Sequence, residues 1–460
     1  MPFNSFENYP MSWKPRIDKT VKTPLYILLA EQLEEDIRNQ RLLPGTKLPP
    51  QRELADYLDL NPSTVYKAFA ICTKKGLLTG NVGRGTFVAY DFKTPIRLDG
   101  PEKEDELIDL GVNLPESVRR SDVDEMLRMM LEDAGQELFP IRTAEWQRDA
   151  GSQLMNRFGY STLPERICIS TGGQNALSAV FQSLFRRGDR IGTDPLGYYG
   201  LKSIAAQAGI QLVPVASEDD EMTQEGLDHA IHTDGIRALY VMPDNHNPTT
   251  HRMSLNCRRR IAETVEKEGI LVIEDSIDRL LEETALPTIQ SLVPDRTVAI
   301  LSLTKPVSPV LRLGYISVPS LYTNTLNQSF YNLNLADSPL ILEIASRYIL
   351  SGKIDSLIER NRINLSARNG LVDRILDGYA VRGNLYSQER WLVLPEGMNN
   401  QAFEKDLYHH GVFLYGSEHF AIGKECPVEA VRISVCTPST MERLERGLWV
   451  IRQRLDELTQ

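Results

Sequence analysis

The 460-residue chain has no apolar run near the ~18 consecutive residues that a membrane-crossing helix needs. Its opening stretch, MPFNSFENYPMSWKPR, has no apolar core of the kind that marks a secretory leader. Cysteine is scarce: Cys72, Cys168, Cys257, Cys426 and Cys436 lie far apart, with no CxxC pair. That spacing argues against a bound metal and against a disulfide framework, and it fits a reducing cytoplasm. There is no internal repeat and no low-complexity tract. What remains is ordinary for a globular protein, 42% hydrophobic and 25% charged. The length suggests about three structural units. Positive charge is also scarce overall, since the net formal charge is −11. It is unevenly spread: residues 1–90 carry 12 Lys/Arg against 9 Asp/Glu, a slight basic excess. An anionic polymer would therefore be met by the N-terminal part.

That part reads as helix, helix-turn-helix and hairpin. Leu25, Leu29, Leu33 and Ile37 recur every fourth residue over 24–39, the period of a helix with one buried face. A turn, LLPGTKLPP, leads to a short helix, QRELADYLDL. Asn61 is a good N-cap and Pro62 a good first helical residue, so a second helix runs through TVYKAFAICTKK to Gly76. LLTGNVGRGTFVAY then gives two short strands about a Gly-rich turn. Over these 45 or so residues, Pro44-Gly45, Leu48-Pro49, Arg52, Leu54-Ala55, Leu58, Thr64-Val65, Ala68-Phe69, Gly76 and Gly83-Arg84-Gly85-Thr86-Phe87-Val88 resemble the winged helix-turn-helix of the GntR regulators. The resemblance implies a DNA-binding domain over 1–90, with the Pro62–Lys75 helix in the major groove. Arg52, Ser63, Thr64, Tyr66, Lys67 and the wing residue Arg84 are the contact candidates. The acidic, Pro-containing residues 91–108 read as a linker.

From about 160 to 320, strand-like runs (RICIST, RIGTD, IQLVPVA, IRALYVMPD, ILVIEDS, TVAILSLTK, LGYISV) alternate with or precede helical stretches such as 174–186, 253–268 and 326–350. Near-continuous apolar strands between helices predict a mostly parallel sheet covered on both faces. RWLVLP, VFLY and AVRISVC suggest a smaller α+β part in the last hundred residues. Ligands of parallel sheets gather at the carboxyl ends of strands, and four such ends carry unusual residues. They are Gly172-Gly173-Gln174, Asn245-His246-Asn247-Pro248-Thr249, Asp275, and Thr304-Lys305 with Arg312 seven residues on. Singly, each reads as structure: a turn, a helix cap, a solvated charge. Together they supply a helix N-terminus for a phosphate, an acid for a pyridinium nitrogen and a lysine for a Schiff base, the set that pyridoxal phosphate requires.

Their order resembles that of the fold type I aminotransferases, over roughly residues 109–458. The resemblance implies that Lys305, in SLTKPVSPVLRLGY after Ser302, is the aldimine lysine and Arg312 a phosphate ligand. Gly173 and Gln174 would contact the phosphate, Ser302 would belong to the cofactor site and Tyr198 would lie near the ring face. Asn247 would donate to the phenolic oxygen, Asp275 would pair with the ring nitrogen, and Arg432 would grip an effector carboxylate. The body would span 109–460, with a large subdomain at about 150–325 and a small one from about 109–149 and 326–460. A GntR-like head on such a body resembles the MocR subfamily of bacterial regulators. That implies a cytoplasmic homodimer placing two heads on two half-sites of duplex DNA and responding to an amino acid or vitamin effector. Three departures stand out: Thr250 where the family has Gly, Ile277 and Asp278 where it has a Tyr, and Asn61-Pro62-Ser63 at the start of the recognition helix. The missing Tyr predicts weak turnover at most. The alternative is a working aminotransferase that carries a DNA-binding head.

Overall fold

The computed structural model describes residues 12–459 apart from 16, 18, 20, 22, 39–40, 43–45, 76, 82–84, 89–106, 114–119, 133–142, 283–285 and 424–425. Arg84, Pro44-Gly45, Gly76 and linker residues 91–106 lie outside the described residues. The chain divides into two compact units, one of residues 1–103 with 401–405, the other of 104–400 with 406–460. No described helix is long and apolar enough to cross a membrane.

In the first unit the helices Leu25–Arg38, Gln51–Leu58 and Pro62–Lys74 precede an antiparallel pair, Leu78–Asn81 with Gly85–Val88. Leu29, Leu33 and Ile37 turn inward as their spacing predicts, and meet Val65, Ala68, Phe69 and Cys72 of the third helix. Full burial of each larger side chain contributes roughly 1.5–3 kcal/mol. Asn61 caps the third helix: its side chain accepts from the Ser63 amide at 2.9 Å, and Pro62 occupies the first turn, where no N–H is needed.

The second unit is built on a seven-stranded sheet. From edge to edge its strands are Ile167–Ser170, Gly314–Ser317, Thr297–Ser302, Leu271–Asp275, Ala238–Val241, Arg190–Thr193 and Gln211–Pro214. The central strands are buried throughout. Alternate residues face opposite ways: Ala299 and Leu301 pack with the Glu145–Arg157 and Pro339–Leu350 helices, Val298 and Ile300 with the Gly173–Leu184 and Ser320–Asn334 helices. Two-sided burial is why these strands read as unbroken apolar runs.

Gly314–Ser317 runs antiparallel to both neighbours, so LGYISV does not continue the parallel alternation. The connection before it, Leu303–Leu313, is too short for the dozen or more residues a parallel crossover needs. The stretch 326–350 is not one helix. Ser320–Asn334 ends before Leu335, whose φ is +62°, and Pro339 opens Pro339–Leu350. A Ser217–Glu218/Glu221–Met222 hairpin was not legible in IQLVPVASEDDEM. The C-terminal part adds a four-stranded antiparallel sheet ordered Val381–Arg382, Glu389–Val393, Ala430–Ser434 and Tyr415–Gly416, a parallel pair of Ile108–Asp109 with Val412–Phe413, and the long Lys353–Ile375 and Met441–Leu458 helices.

Candidate functional site

Four carboxyl ends of the large sheet bring the singled-out residues of the body together. Ile167–Ser170 ends in a tight turn in which Gly172 has φ +94°, a conformation that favours glycine. The following helix opens at Gly173, so its first N–H groups have no partner within the helix. A side chain added at Gly173 would touch Ile277 Cγ2 at 3.6 Å and Ser302 Cβ at 3.9 Å, and one at Gly172 would touch Thr304 Oγ1 at 3.4 Å. The Gly-Gly turn, the residue after Asp275-Ser276 and the strand end before Lys305 therefore surround one spot. Gln174 Oε1 accepts from the Tyr198 hydroxyl at 2.8 Å, which joins the end of a fourth strand to the same place.

Asp275 lies at the end of the Leu271–Asp275 strand and is buried. Its Oδ2 accepts from the Tyr240 hydroxyl at 2.8 Å, while its Oδ1 is buried with no hydrogen-bond partner. Burial pushes the Asp275 carboxyl up to about 6, against the Tyr240 hydrogen bond and the Lys305 ammonium, which draw it down. An acid with one oxygen fixed and the other open suits a protonated ring nitrogen. Lys305 is half-buried in the Leu303–Leu313 connection. Its charge is also felt by Asp278, which burial and the neighbouring Glu389 push up to about 7.

Asp278 is not turned to solvent. Its two oxygens accept from Asn245 Nδ2 at 2.9 Å and Gln388 Nε2 at 2.5 Å, which ties the large sheet to the small one. Ile277, where a Tyr was expected, presents only its Cγ2 to the Gly173 turn. Arg312 is exposed, with no side-chain hydrogen bond or ion pair among the described residues.

Arg432 is fully buried in the Ala430–Ser434 strand. One terminal nitrogen donates to Asn247 Oδ1 at 2.7 Å and the other to the Gly111 carbonyl at 2.6 Å. Phe420, Tyr199 and Tyr415 surround the guanidinium, with ring centroids 4.7, 5.7 and 5.9 Å away. No carboxylate pairs with it among the described residues, and Nε is buried without a partner. The Asn247 oxygen is thus committed to Arg432, which leaves the Asn247 N–H₂ as a donor. Gly111 must be glycine, because a Cβ would sit 2.9 Å from the Phe413 ring.

Sequence reasoning missed Tyr240, Gly111 and the aromatic box around Arg432. Tyr240 carried one signal, a polar tip in the middle of an apolar strand. The residues present suit pyridoxal phosphate: an open buried carboxylate oxygen, a Gly-Gly helix start and a lysine converge at one place.

In the head, Arg52, Ser63, Tyr66 and Lys67 are exposed and Thr64 is half-buried. Tyr66 is 65% exposed, which excludes core packing. Lys67 Nζ lies 5.7 Å from the Tyr26 ring centroid, and neither Lys67 nor Arg52 is ion-paired among the described residues.

Comparison with known proteins supplies the family. Residues 25–88 match the bacterial regulatory proteins of the gntR family, and residues 105–448 match aminotransferase class I and II. An HTH-type transcriptional regulator of Bacillus subtilis, YdeF, is 46% identical over the full length of both chains. The vitamin B6 salvage pathway transcriptional repressor PtsJ of Salmonella typhimurium is 24% identical over 90% of this chain and 95% of its own. Among solved structures, the α-aminoadipate aminotransferase LysN of Thermus thermophilus covers 77% of this chain and 93% of its own, with a TM-score of 0.67 at 19% identity, a likeness of fold. The helix-turn-helix head, the mixed-sheet body and the full-length relative agree: the chain belongs to the MocR subfamily of GntR-type transcriptional regulators, with a body of the aminotransferase class I and II family.

Proposed function

We propose that this regulator holds pyridoxal phosphate on Lys305 and reads a small amino acid or B6-type effector in its body, with little or no turnover. The observation that carries the reading is the buried, unpartnered Oδ1 of Asp275, opposite an oxygen already fixed by Tyr240. An acid left half-satisfied in the interior is costly and is explained by a ligand that completes it. When bound, pyridoxal phosphate supplies an electrophilic carbonyl and an electron-withdrawing ring. The chain's own residues do the rest. Asp275 holds a proton at the ring nitrogen. Gly173 and Gln174 offer backbone N–H groups to the phosphate, with Ser302 beside them. Arg312 joins that end from the exposed side of the loop, and Tyr198 shields the ring. The Asn247 N–H₂ is aimed by Arg432, and Arg432 keeps Nε for an effector carboxylate.

Turnover is expected to be poor because Ile277 cannot donate to the phenolic oxygen, and a hydrogen bond to a charged group contributes about 1.5–3 kcal/mol. Asp278 accepts two hydrogen bonds and has no proton to give in its ionised form. The B6-linked effector is supported by the likeness to the Salmonella repressor of vitamin B6 salvage. Two heads on two half-sites, supplied by a homodimer, would give the head enough contacts to select an operator. The test is absorbance: the full chain supplied with the cofactor should gain a band near the visible edge, and Lys305→Ala should not. A wild-type protein without that band sinks the reading. Rapid conversion to the amine form of the cofactor with an amino donor, reversed by a keto acid, would make the protein an aminotransferase instead.

A further inference from the structure

A cavity of about 190 Å³ is lined in part by His246 and Thr249 of the Asn245–Thr250 loop. Its polar wall is Asp194, His246, Thr249, Ser217 and Asp220, and its apolar wall is Pro195, Leu196, Pro427 and Val428. No lysine or arginine lines it. Asp194 follows the Arg190–Thr193 strand and is 9% exposed. Among the described residues no side-chain donor hydrogen-bonds to it. Its nearest ionisable neighbour is His246 Nε2 at 3.6 Å, beyond hydrogen-bond reach.

Burial pushes the Asp194 carboxyl up to about 7, against a hydrogen bond from its own backbone N–H. His246 Nδ1 pairs with Thr249 Oγ1 at 2.8 Å, and burial together with His251 draws the ring down to about 4, so the pair holds each other only weakly. The other charge nearby is Asp220, which repels Asp194 and at the rim is already paired with Arg382 at 2.5 Å. Asp194 is thus a buried acid facing a cavity lined by no lysine or arginine. Buried Asp244, by contrast, has both Arg258 and Arg279.

We propose that this cavity binds a small organic cation, a primary ammonium on a short apolar stem, with its nitrogen on Asp194 and its stem against Pro195, Leu196, Pro427 and Val428. A free amino acid is disfavoured, because its carboxylate would meet a wall that holds acids and no cation. A metal ion is disfavoured, because no group of three or more His, Cys, Asp and Glu among the described residues could hold one. The cavity shares its loop with the cofactor site: His246 and Thr249 face the cation, while Asn247 between them faces Arg432. An occupant would brace the loop that aims Asn247. The inference does not depend on Lys305 holding a cofactor.

The experiment is calorimetric titration of the full chain, with no cofactor added, by n-butylammonium, n-butanol, butyrate and magnesium. The amine should bind saturably, at least about tenfold tighter than the alcohol, and butyrate should not bind. Asp194→Asn should weaken the amine by at least about tenfold. Val428→Phe, which fills the apolar end and leaves Asp194 intact, should block it, so the test survives if Asp194→Asn fails to fold. Absence of saturable amine binding, equal binding of butanol, or amine binding unchanged in a folded variant would overturn the proposal. So would magnesium binding in place of the amine.

Discussion

Two buried guanidinium sites in the body invite comparison. Arg258 and Arg279 converge on Asp244, at 3.0 and 2.9 Å, and their remaining N–H groups are taken by the carbonyls of Met253, Pro287, Pro243, Phe158 and Leu286. Burial alone would raise the Asp244 carboxyl, but Arg279 and Arg258 together hold it below its ordinary value. Arg432 is equally buried, has no carboxylate partner among the described residues, and keeps one nitrogen without a partner there. The first site is complete and serves the fold. The second has no counter-charge among the described residues and is, on the function proposed above, where an effector's carboxylate would bind.

The comparison is broken most severely at Asp244. Asp244→Asn leaves two buried guanidinium groups without a counter-charge and should destabilise the body by about 3–5 kcal/mol, read from denaturant midpoints. A loss under about 1 kcal/mol would mean the network is dispensable. Arg432→Leu should cost less, about 1–3 kcal/mol, since it strands only the Asn247 and Gly111 acceptors. It should, however, remove any spectral response to an effector while sparing cofactor absorbance. A retained response would place the effector's carboxylate elsewhere.

The next effect is one of pH. Asp278 is raised to about 7, first by burial and then by Glu389. A raised carboxyl contributes stability that is present below its unfolded value, near 3.9, and is lost as pH rises through about 7. Asp244, being lowered, contributes in the opposite sense: its stability is present above the unfolded value and is lost as pH falls through the lowered one. Asp278→Asn can keep the Asn245 bond and donate to Gln388 Oε1, which is buried without a partner. Stability followed from pH 4 to 7 should therefore decline less in Asp278→Asn than in the wild type. Parallel curves would remove Asp278 from the titration.

The smallest effect on stability belongs to an exposed cation of the head. Lys67→Ala should leave unfolding within about 0.5 kcal/mol, yet weaken DNA binding at every sequence and lower its salt slope by about one. An unchanged slope would take Lys67 off the phosphate backbone.

Much of this was legible in the sequence, for a physical reason. Asp275, Asn247 and Lys305 stand where apolar strands stop, so a polar residue there is conspicuous. The head was legible because the Leu29–Leu33–Ile37 spacing and the Asn61-Pro62 cap are local signals. What sequence could not give depends on contacts distant along the chain. The Tyr240 hydroxyl points at Asp275, 35 residues away, and Gly111 holds Arg432 from 321 residues away. The reversal of Gly314–Ser317 turns on the length of a connection, which hydrophobic patterning does not register. The exposure of Arg312 likewise depends on how the loop folds back.

That loop has a consequence for how the gene can vary. Leu303 N–H donates to the Leu313 carbonyl at 2.9 Å, which closes the neck of the segment carrying Lys305 and Arg312. Asn361 Nδ2 donates to the Pro306 and Val307 carbonyls at 2.9 and 3.1 Å and straps the segment from the long Lys353–Ile375 helix. With neighbouring sheet strands at both ends and a strap between, there is no slack to absorb an added residue. One insertion must either open the neck or shift the Gly314–Ser317 strand by one position, which would turn every one of its side chains to the wrong face. Single-residue insertions scanned across the gene should therefore be rejected at 303–313, while the exposed turn at Asp219-Asp220, where the hairpin ends in solvent, should take them.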